Sequence, residues 1–407
     1  MTDTSQIVII GGGLAGHSAA ETLRKEGFEG DLTIFEAEPV IPYDRTLLSK
    51  AVLQGSRSAD STSFRSIEYY DELRVVLALD QTVTGVDFRA RELTTSRGEQ
   101  VRYDKLLIAT GTTPIRLPVP GADLPGVHYL RTVADAVAIK HDLESATRVG
   151  VIGAGFIGAE VAASARILGK DVHLIDLLDA PMAGALGHEV GDVFAEIHAS
   201  HGVSLRMQSR VNELRGDERV EAIVLADGTE IPCDLVVVGI GVRPATDLFV
   251  GTDLDLANGV RVSETCETNI PGVYAAGDVA NWWHPGMGHH IRIEHFNNAA
   301  EQGVAAAKAM LGQPVSYGPL PYFWSDQYDI NLQHVGHCVP GDEVVLRRYP
   351  DGTAMTVFYL RDGIVEAVAA INRGRDIRPS RKLIEARQPI DRAVLADPEQ
   401  ELRSILA

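Results

Sequence analysis

Short unbroken apolar runs alternate along the chain with longer Ala-rich segments, and polar residues fall at fixed places between them. Ile7–Ile10 is such a run. It predicts a strand buried on both faces, because a strand with one wet face would alternate apolar and polar positions. Ala15–Lys25 follows with helical spacing, and Leu32–Phe35 reads as a second buried strand ending at Glu36. The same order returns later: Val149–Ile152, a helix running to Gly169, then Val172–Ile175 ending at Asp176. Buried strands joined by helices imply a parallel sheet covered on both faces, so the chain reads as α/β with an internal repeat.

Lys105–Ala109 is a further buried strand, closed by Thr110-Gly111, and the Pro-rich stretch up to Gly121 reads as a linker. Between Leu205 and Pro244, β-like runs alternate with turn signals at Arg215-Gly216-Asp217 and Asp227-Gly228. They predict meander strands on the second unit, before the buried strand Leu235–Ile240. Val273–Ala280 is apolar and contains Gly277-Asp278, and a helix follows over about Asn297–Leu311. From Pro321 the pattern changes to short strands (Val344–Arg348, Ala354–Tyr359, Ile364–Ala370) with turns at Asp351-Gly352 and Asp362-Gly363, and a helix begins near Ser380. This tail is expected to be a small α+β domain.

Composition narrows the class. A chain of 407 residues is long for one domain, and its 45% hydrophobic and 23% charged content is ordinary for a soluble α/β enzyme. The formal charge of −19 argues against a nucleic-acid partner, which would need a basic surface. Cys233, Cys266 and Cys338 are far apart and form no CxxC or CxxxxC. That removes a redox dithiol of the usual spacing, and three cysteines are too few for an all-cysteine zinc site or iron–sulfur cluster. The start, MTDTSQ, has neither the basic nor the apolar region of a signal peptide, and no apolar run reaches membrane-spanning length. A cytoplasmic protein with no membrane partner is expected.

Chemistry enters at the two helix starts. Gly11-x-Gly13-x-x-Gly16 encloses Leu14 and Ala15, and Gly153-x-Gly155-x-x-Gly158 encloses Phe156 and Ile157. In this motif the first Gly makes a tight turn, the second lets backbone approach a pyrophosphate, and the third lets helix and strand pack closely. Glu36 and Asp176, each ending the next strand, are placed to accept hydrogen bonds from ribose hydroxyls. Two such units in register imply two dinucleotides exchanging electrons, usually FAD and a nicotinamide. No Arg or Lys occurs in the segment 177–184, so a 2′-phosphate would meet Asp176 and Asp179 without a cation. NADH is therefore expected over NADPH. Glu160, two residues past Gly158, is expected on the first turn of its helix.

Five segments carry a family resemblance. Ala109–Pro114 (ATGTTP) and Thr268–Ala280 (TNIPGVYAAGDVA) resemble the connecting and second FAD motifs of two-dinucleotide flavoprotein reductases. PYDRTLLSK at Pro42–Lys50, RIEHFNNAAEQG at Arg292–Gly303 and PYFWSDQYD at Pro321–Asp329 are similar to the oxygenase-coupled NADH-dependent ferredoxin reductases, the putidaredoxin and rhodocoxin reductase type. The resemblance implies two Rossmann-like dinucleotide-binding domains of glutathione-reductase-like fold and a small α+β C-terminal domain. It divides the chain into an FAD-binding domain at 1–112 and 243–320, an NADH-binding domain at 113–242 and a C-terminal domain at 321–407. It also implies FAD contacts at Ala109, Thr110, Gly111, Val83 and Arg131, with Asp278 on the ribityl chain and Arg45 near the phosphates. Lys50 would lie near flavin N5, with Phe296 and Trp324 close to the isoalloxazine and Gly241 near the nicotinamide nucleotide. One departure is Phe296, where the family often has Trp. Lys50 and Glu160 are expected to pair as the catalytic residues at the hydride-transfer face.

The activity implied is that of an FAD-dependent NADH:ferredoxin oxidoreductase. It would pass electrons one at a time to a [2Fe–2S] ferredoxin serving a haem monooxygenase or ring-hydroxylating dioxygenase. The alternatives are rubredoxin as acceptor, direct use of oxygen as an NADH oxidase, and an NADH-sensing flavoprotein of the apoptosis-inducing-factor type. A monomer or weak homodimer is expected. A docking patch is read at Arg373, Arg375, Arg378, Arg381 and Lys382, set against Asp376, with Arg292 and Arg347-Arg348 adding to it. His284, His289, His290 and His295 match no metal-ligand spacing and are read as part of a loop over the flavin.

Overall fold

Ile7, Val8 and Ile9 have no exposed surface, and their strand, Gln6–Ile10, lies at the middle of a five-stranded sheet. The sheet belongs to a computed structural model that describes residues 5–350 and 352–406. The polar start at residues 1–4 and Asp351 of the expected turn lie outside the described residues. The chain divides into two compact units. One comprises Met1–Asp44, Asp60–Thr113 and Val242–Pro319, and the other Arg45–Ala59, Pro114–Gly241 and Leu320–Ala407.

In the first unit the sheet runs Val273–Ala275, Lys105–Ile108, Gln6–Ile10, Asp31–Phe35, Val76–Ala78, all parallel. The helix Leu14–Lys25 covers it and packs closely on the helix Phe296–Met310 through small residues. A Cβ at Gly303 would come within 2.3 Å of the Ala15 carbonyl oxygen, so glycine is required there. In the second unit the order is Ser204–Arg206, Asp171–Ile175, Arg148–Ile152, Leu235–Val238, Val127–Tyr129, again all parallel. Each unit also carries a three-stranded antiparallel meander. Val211–Arg215, Ala222–Leu225 and Glu230–Pro232 form the one read from the sequence. Val83–Asp87, Glu92–Thr95 and Gln100–Arg102 form its counterpart in the first unit. The repeat therefore extends through a whole sheet-plus-meander unit.

The tail from Tyr322 is a five-stranded antiparallel sheet, ordered Tyr322–Gln327, Ile330–Gly336, Ile364–Ile371, Met355–Arg361, Glu343–Arg348. Val190, Phe194 and Ile197 of the helix His188–Ser200 share a core with Leu332, Val357 and Ala369 of this sheet. The tail thus clusters with the second parallel sheet rather than standing alone. The helix expected near Ser380 begins earlier, at Ile377, with Pro379 in its first turn. Proline is tolerated there because a first-turn N–H has no partner within the helix. The histidine segment is not a loop: Ala280–His284 and His289–Arg292 pair as an antiparallel hairpin beside Val260–Val262.

Arg45–Ala59, placed by the sequence reading in the first domain, clusters with the second unit because polar contacts bind it there. Arg45 Nη1 donates to the Arg131 carbonyl at 2.8 Å, and Ser164 Oγ donates to the Ser49 carbonyl at 2.7 Å.

Candidate functional site

The two Gly-rich turns have the same physics. Gly11 (φ 109°) and Gly153 (φ 99°) are left-handed, and a Cβ on either would lie 2.3 Å from a carbonyl oxygen, of Ala109 or Gly239. Gly16 and Gly158 pack against the carbonyls of Gly11 and Gly153, where a Cβ would overlap at 2.1 and 1.8 Å. Gly13 and Gly155 differ: a Cβ on them meets nothing within 4 Å. The backbone between motif and open space is therefore bare. Gly13 and Gly155 are also the N-cap residues of Leu14–Lys25 and Phe156–Ile167, with no side-chain cap and no acid in the first turn of either helix. Uncapped N–H groups at a positive helix end, facing open space, suit an anionic pyrophosphate. Leu14 and Ala15 pack toward the core, Phe156 is half-buried and Ile157 is exposed.

The acids behave alike as well. Glu36 accepts from Gly12 N (2.6 Å) and Glu38 N (3.0 Å), and Asp176 accepts from Ala154 N (2.5 Å) and Leu178 N (2.8 Å). Each carboxylate thus braces the motif in front of it. Arg206, paired in register with Ile175 on the neighbouring strand, brings close to this region a cation that the segment 177–184 itself lacks. Its charge acts on His173 and Asp227.

The remaining first-unit candidates sit at strand and helix ends. Ala109, Thr110 and Gly111 (φ 67°) end the strand Lys105–Ile108, and Thr110 Oγ1 donates to the Ala245 carbonyl at 2.9 Å. Asp278 follows Gly277, whose N–H donates to Gln302 Oε1, and it accepts from Thr112 Oγ1 at 3.4 Å. Arg292 donates to the Asp278 carbonyl and pairs with Glu294 at 2.6 Å. Phe296 opens its helix and meets Phe64 edge-on at 6.4 Å, and Val83 is buried at the start of the first meander. In the second unit, Arg131 precedes the capping box of Thr132 and Asp135, while Gly241 (φ 109°) lies beyond the strand Leu235–Val238.

Lys50 and Glu160 come together. Lys50 lies in Leu48–Val52, a π-helical turn of a kind often found at functional sites, and its Nζ is 3.1 Å from Glu160 Oε1. Glu160 is the fifth residue of Phe156–Ile167, one turn deeper than expected and only 5% exposed. A dipole interaction at the first turn therefore does not explain it. Its carboxylate also accepts from Ser49 Oγ (2.5 Å) and Ser325 Oγ (2.8 Å). Both serines lie inside segments quoted above, Ser49 in Pro42–Lys50 and Ser325 in Pro321–Asp329, but nothing in either segment points to the carboxylate they serve. One turn on, Ser164 holds Ser49 and accepts from Gln54 Nε2 at 3.0 Å, so one helix face grips the lysine turn twice. The strand Tyr322–Gln327 alternates in the usual way. Phe323 meets Phe156 at 4.7 Å and Ser325 meets Glu160, while Tyr322 and Trp324 pack side by side, 6.4 Å apart.

Two expectations need correction. Arg373 is 9% exposed, lies over the Tyr349 ring at 3.4 Å and pairs with Asp376 at 3.4 Å, so it cannot dock a partner. Arg347 is 1% exposed and donates to the carbonyls of Val394, Asp397 and Gln400, pinning the C-terminal segment. Arg375, Arg378, Lys382 and Arg348 remain exposed, and Arg381 is half-buried over Tyr322. Burial pushes the Cys233 and Cys266 thiols up to about 12 and Cys338 to about 11, away from thiolate chemistry at neutral pH.

Two bare Gly-rich cradles on two parallel sheets, each with its own acid, define a protein built for two dinucleotides. The model of the pyridine nucleotide-disulphide oxidoreductase family matches residues 5–303, and that of the reductase C-terminal domain matches 322–406. Rhodocoxin reductase of Rhodococcus erythropolis is 37% identical over 402 residues, 98% of this chain and 94% of that protein. The ferredoxin–NAD(+) reductase component of the anthranilate 1,2-dioxygenase system of Burkholderia cepacia is 38% identical over 98% of both chains. A crystal structure of the covalent putidaredoxin reductase–putidaredoxin complex matches with a TM-score of 0.95 and 32% identity, covering 99% of each chain. The chain belongs to the pyridine nucleotide-disulphide oxidoreductase family and is an oxidoreductase. No helix among the described residues is long and apolar enough to cross a membrane.

Proposed function

We propose that the chain is an FAD-dependent NADH:ferredoxin oxidoreductase whose acceptor is a [2Fe–2S] ferredoxin of an oxygenase system. The observation that carries this reading is the doubled cradle, in a chain that aligns over 98% of its length with a ferredoxin–NAD(+) reductase. Bound FAD takes up electrons in pairs from NADH and releases them singly.

The residues divide the work. Gly11, Gly13 and Gly16 let backbone approach the FAD pyrophosphate, and Glu36 turns from Gly12 toward the ribose. Ala109, Thr110, Gly111 and Asp278 line the flavin chain, with Val83, Arg45, Arg131, Phe296 and Trp324 as further contacts. Gly153, Gly155 and Gly158, with Phe156, Ile157 and Gly241, receive NADH. Glu160 positions the carboxamide end of NADH and, through the ion pair, Lys50. In this reading the Gly-rich turn after Gln6–Ile10 takes the FAD pyrophosphate, and the one after Arg148–Ile152 takes that of NADH.

Asp176 selects NADH. Asp176→Asn is expected to lower kcat/KM for NADH by about tenfold, the value of one hydrogen bond to a charged acceptor, while narrowing the gap to NADPH. Parallel steady-state assays with both nucleotides check this. The activity itself is tested by reducing the FAD-loaded protein with NADH under nitrogen, then mixing it with a [2Fe–2S] ferredoxin, a rubredoxin or oxygen. Fast reoxidation by the ferredoxin and slow reoxidation by oxygen are expected. Fast reoxidation by oxygen alone would make the protein an oxidase, and by rubredoxin alone a rubredoxin reductase.

A further inference from the structure

Behind Glu160 runs a chain of buried polar groups that the proposed reaction does not use. Ser325 Oγ, which donates to Glu160, also accepts from Gln327 Nε2 at 3.2 Å. Gln327 Oε1 accepts from His198 Nε2 at 2.9 Å, and His198 Nδ1 contacts the Tyr328 hydroxyl at 3.1 Å. Ser325, Gln327 and His198 are each no more than 1% exposed. Burial pushes the His198 imidazole down to about 4, so the ring is neutral at neutral pH.

The direction of every bond follows. An amide oxygen only accepts, so His198 Nε2 carries the ring proton. Nδ1 then has a lone pair, and Tyr328 donates to it. With its oxygen held by His198, Gln327 must aim its NH2 group at Ser325, and its second N–H reaches Met182 Sδ at 3.6 Å. Ser325 accepts from that amide, so its one proton goes to Glu160. If the amide were reversed, Ser325 would be drawn to donate to Gln327, and the carboxylate would lose a donor.

We propose that Tyr328, His198, Gln327 and Ser325 form a one-directional hydrogen-bond chain whose role is to orient the Glu160 carboxylate toward Lys50. Its members are positioning residues, spread over the helix His188–Ser200, the strand Tyr322–Gln327 and, for Tyr328, the turn directly after that strand, and bonds aligned this way polarise one another. The proposal rests on the reading of Glu160 as the carboxylate that serves NADH.

A double-mutant cycle tests it on the FAD-loaded enzyme, with flavin reduction by NADH followed by stopped flow. Ser325→Ala is expected to slow reduction at saturating NADH about tenfold, with little change in NADH affinity. It should have no further effect in a Glu160→Gln background. His198→Phe, which keeps ring volume but frees the Gln327 amide, should show the same dependence more weakly. A second readout needs no turnover. The Glu160 carboxylate band, isolated as the infrared difference between the parent and Glu160→Gln proteins, should shift in Ser325→Ala. Additive losses in the cycle, or an unshifted band, would overturn the chain. An unaltered rate in Glu160→Gln alone would instead overturn the reading on which it rests.

Discussion

Glu160→Ala is expected to slow reduction of the bound flavin by NADH about a hundredfold, the effect of misplacing a reacting group by roughly 1 Å. The carboxylate holds two serine hydroxyls and an ammonium in one arrangement, and alanine leaves all of them without an acceptor. Lys50, 18% exposed at its side chain, can swing toward water, which takes the π-helical turn out of register with the helix Phe156–Ile167. Removing one member of a buried pair costs about 3–5 kcal/mol when the other stays buried. Partial exposure of Lys50 places the stability loss at the lower end of that range. Rate and stability therefore have to be measured separately, by stopped flow at saturating NADH and by thermal unfolding. Lys50→Met should slow the same step. A Glu160→Ala enzyme that is destabilised but reduced at the parent rate would show that the carboxylate only fastens Leu48–Val52 in place.

The ion pair was legible in the sequence because each member lies within a motif, Lys50 in PYDRTLLSK and Glu160 just past Gly158. Ser49 and Ser325 also lie within quoted motifs, but their role was not legible, because the carboxylate they complete is 111 or 165 residues away. The parallel strands were legible because full burial on both faces removes polar residues from them. The first meander was missed, since Val83–Asp87 and Gln100–Arg102 are part-exposed edge segments of mixed polarity. The basic tail misled for a related reason. Charge along a sequence reads as surface, but Arg347 and Arg373 are held inside by carbonyls, a ring and a carboxylate. Arg45–Ala59 clusters with the second unit, a grouping that chain order alone does not reveal.

What remains of the basic patch makes a sharper prediction than the full run of charges did. Arg375 precedes the helix Ile377–Ala386, and Arg378 and Lys382 follow on its exposed side, one turn apart. Glu385 is the exposed carboxylate beyond them. A net charge of −19 would repel an acidic ferredoxin at long range, and in the proposed reading this short cationic face sets where it approaches. The double reversal Arg375→Glu, Arg378→Glu is therefore expected to lower the second-order rate constant for ferredoxin reduction about ten- to a hundredfold at low salt. The same change should flatten its dependence on ionic strength, because less attraction is left to screen. Flavin reduction by NADH should be unchanged, which separates docking from chemistry. Arg373→Gln provides the contrast: removing a buried guanidinium from Asp376 and the Tyr349 ring should lower the melting temperature and leave the salt dependence as it was. If the exposed reversal also leaves that dependence unaltered, the ferredoxin docks elsewhere, and the charges on this helix serve only to keep it in water.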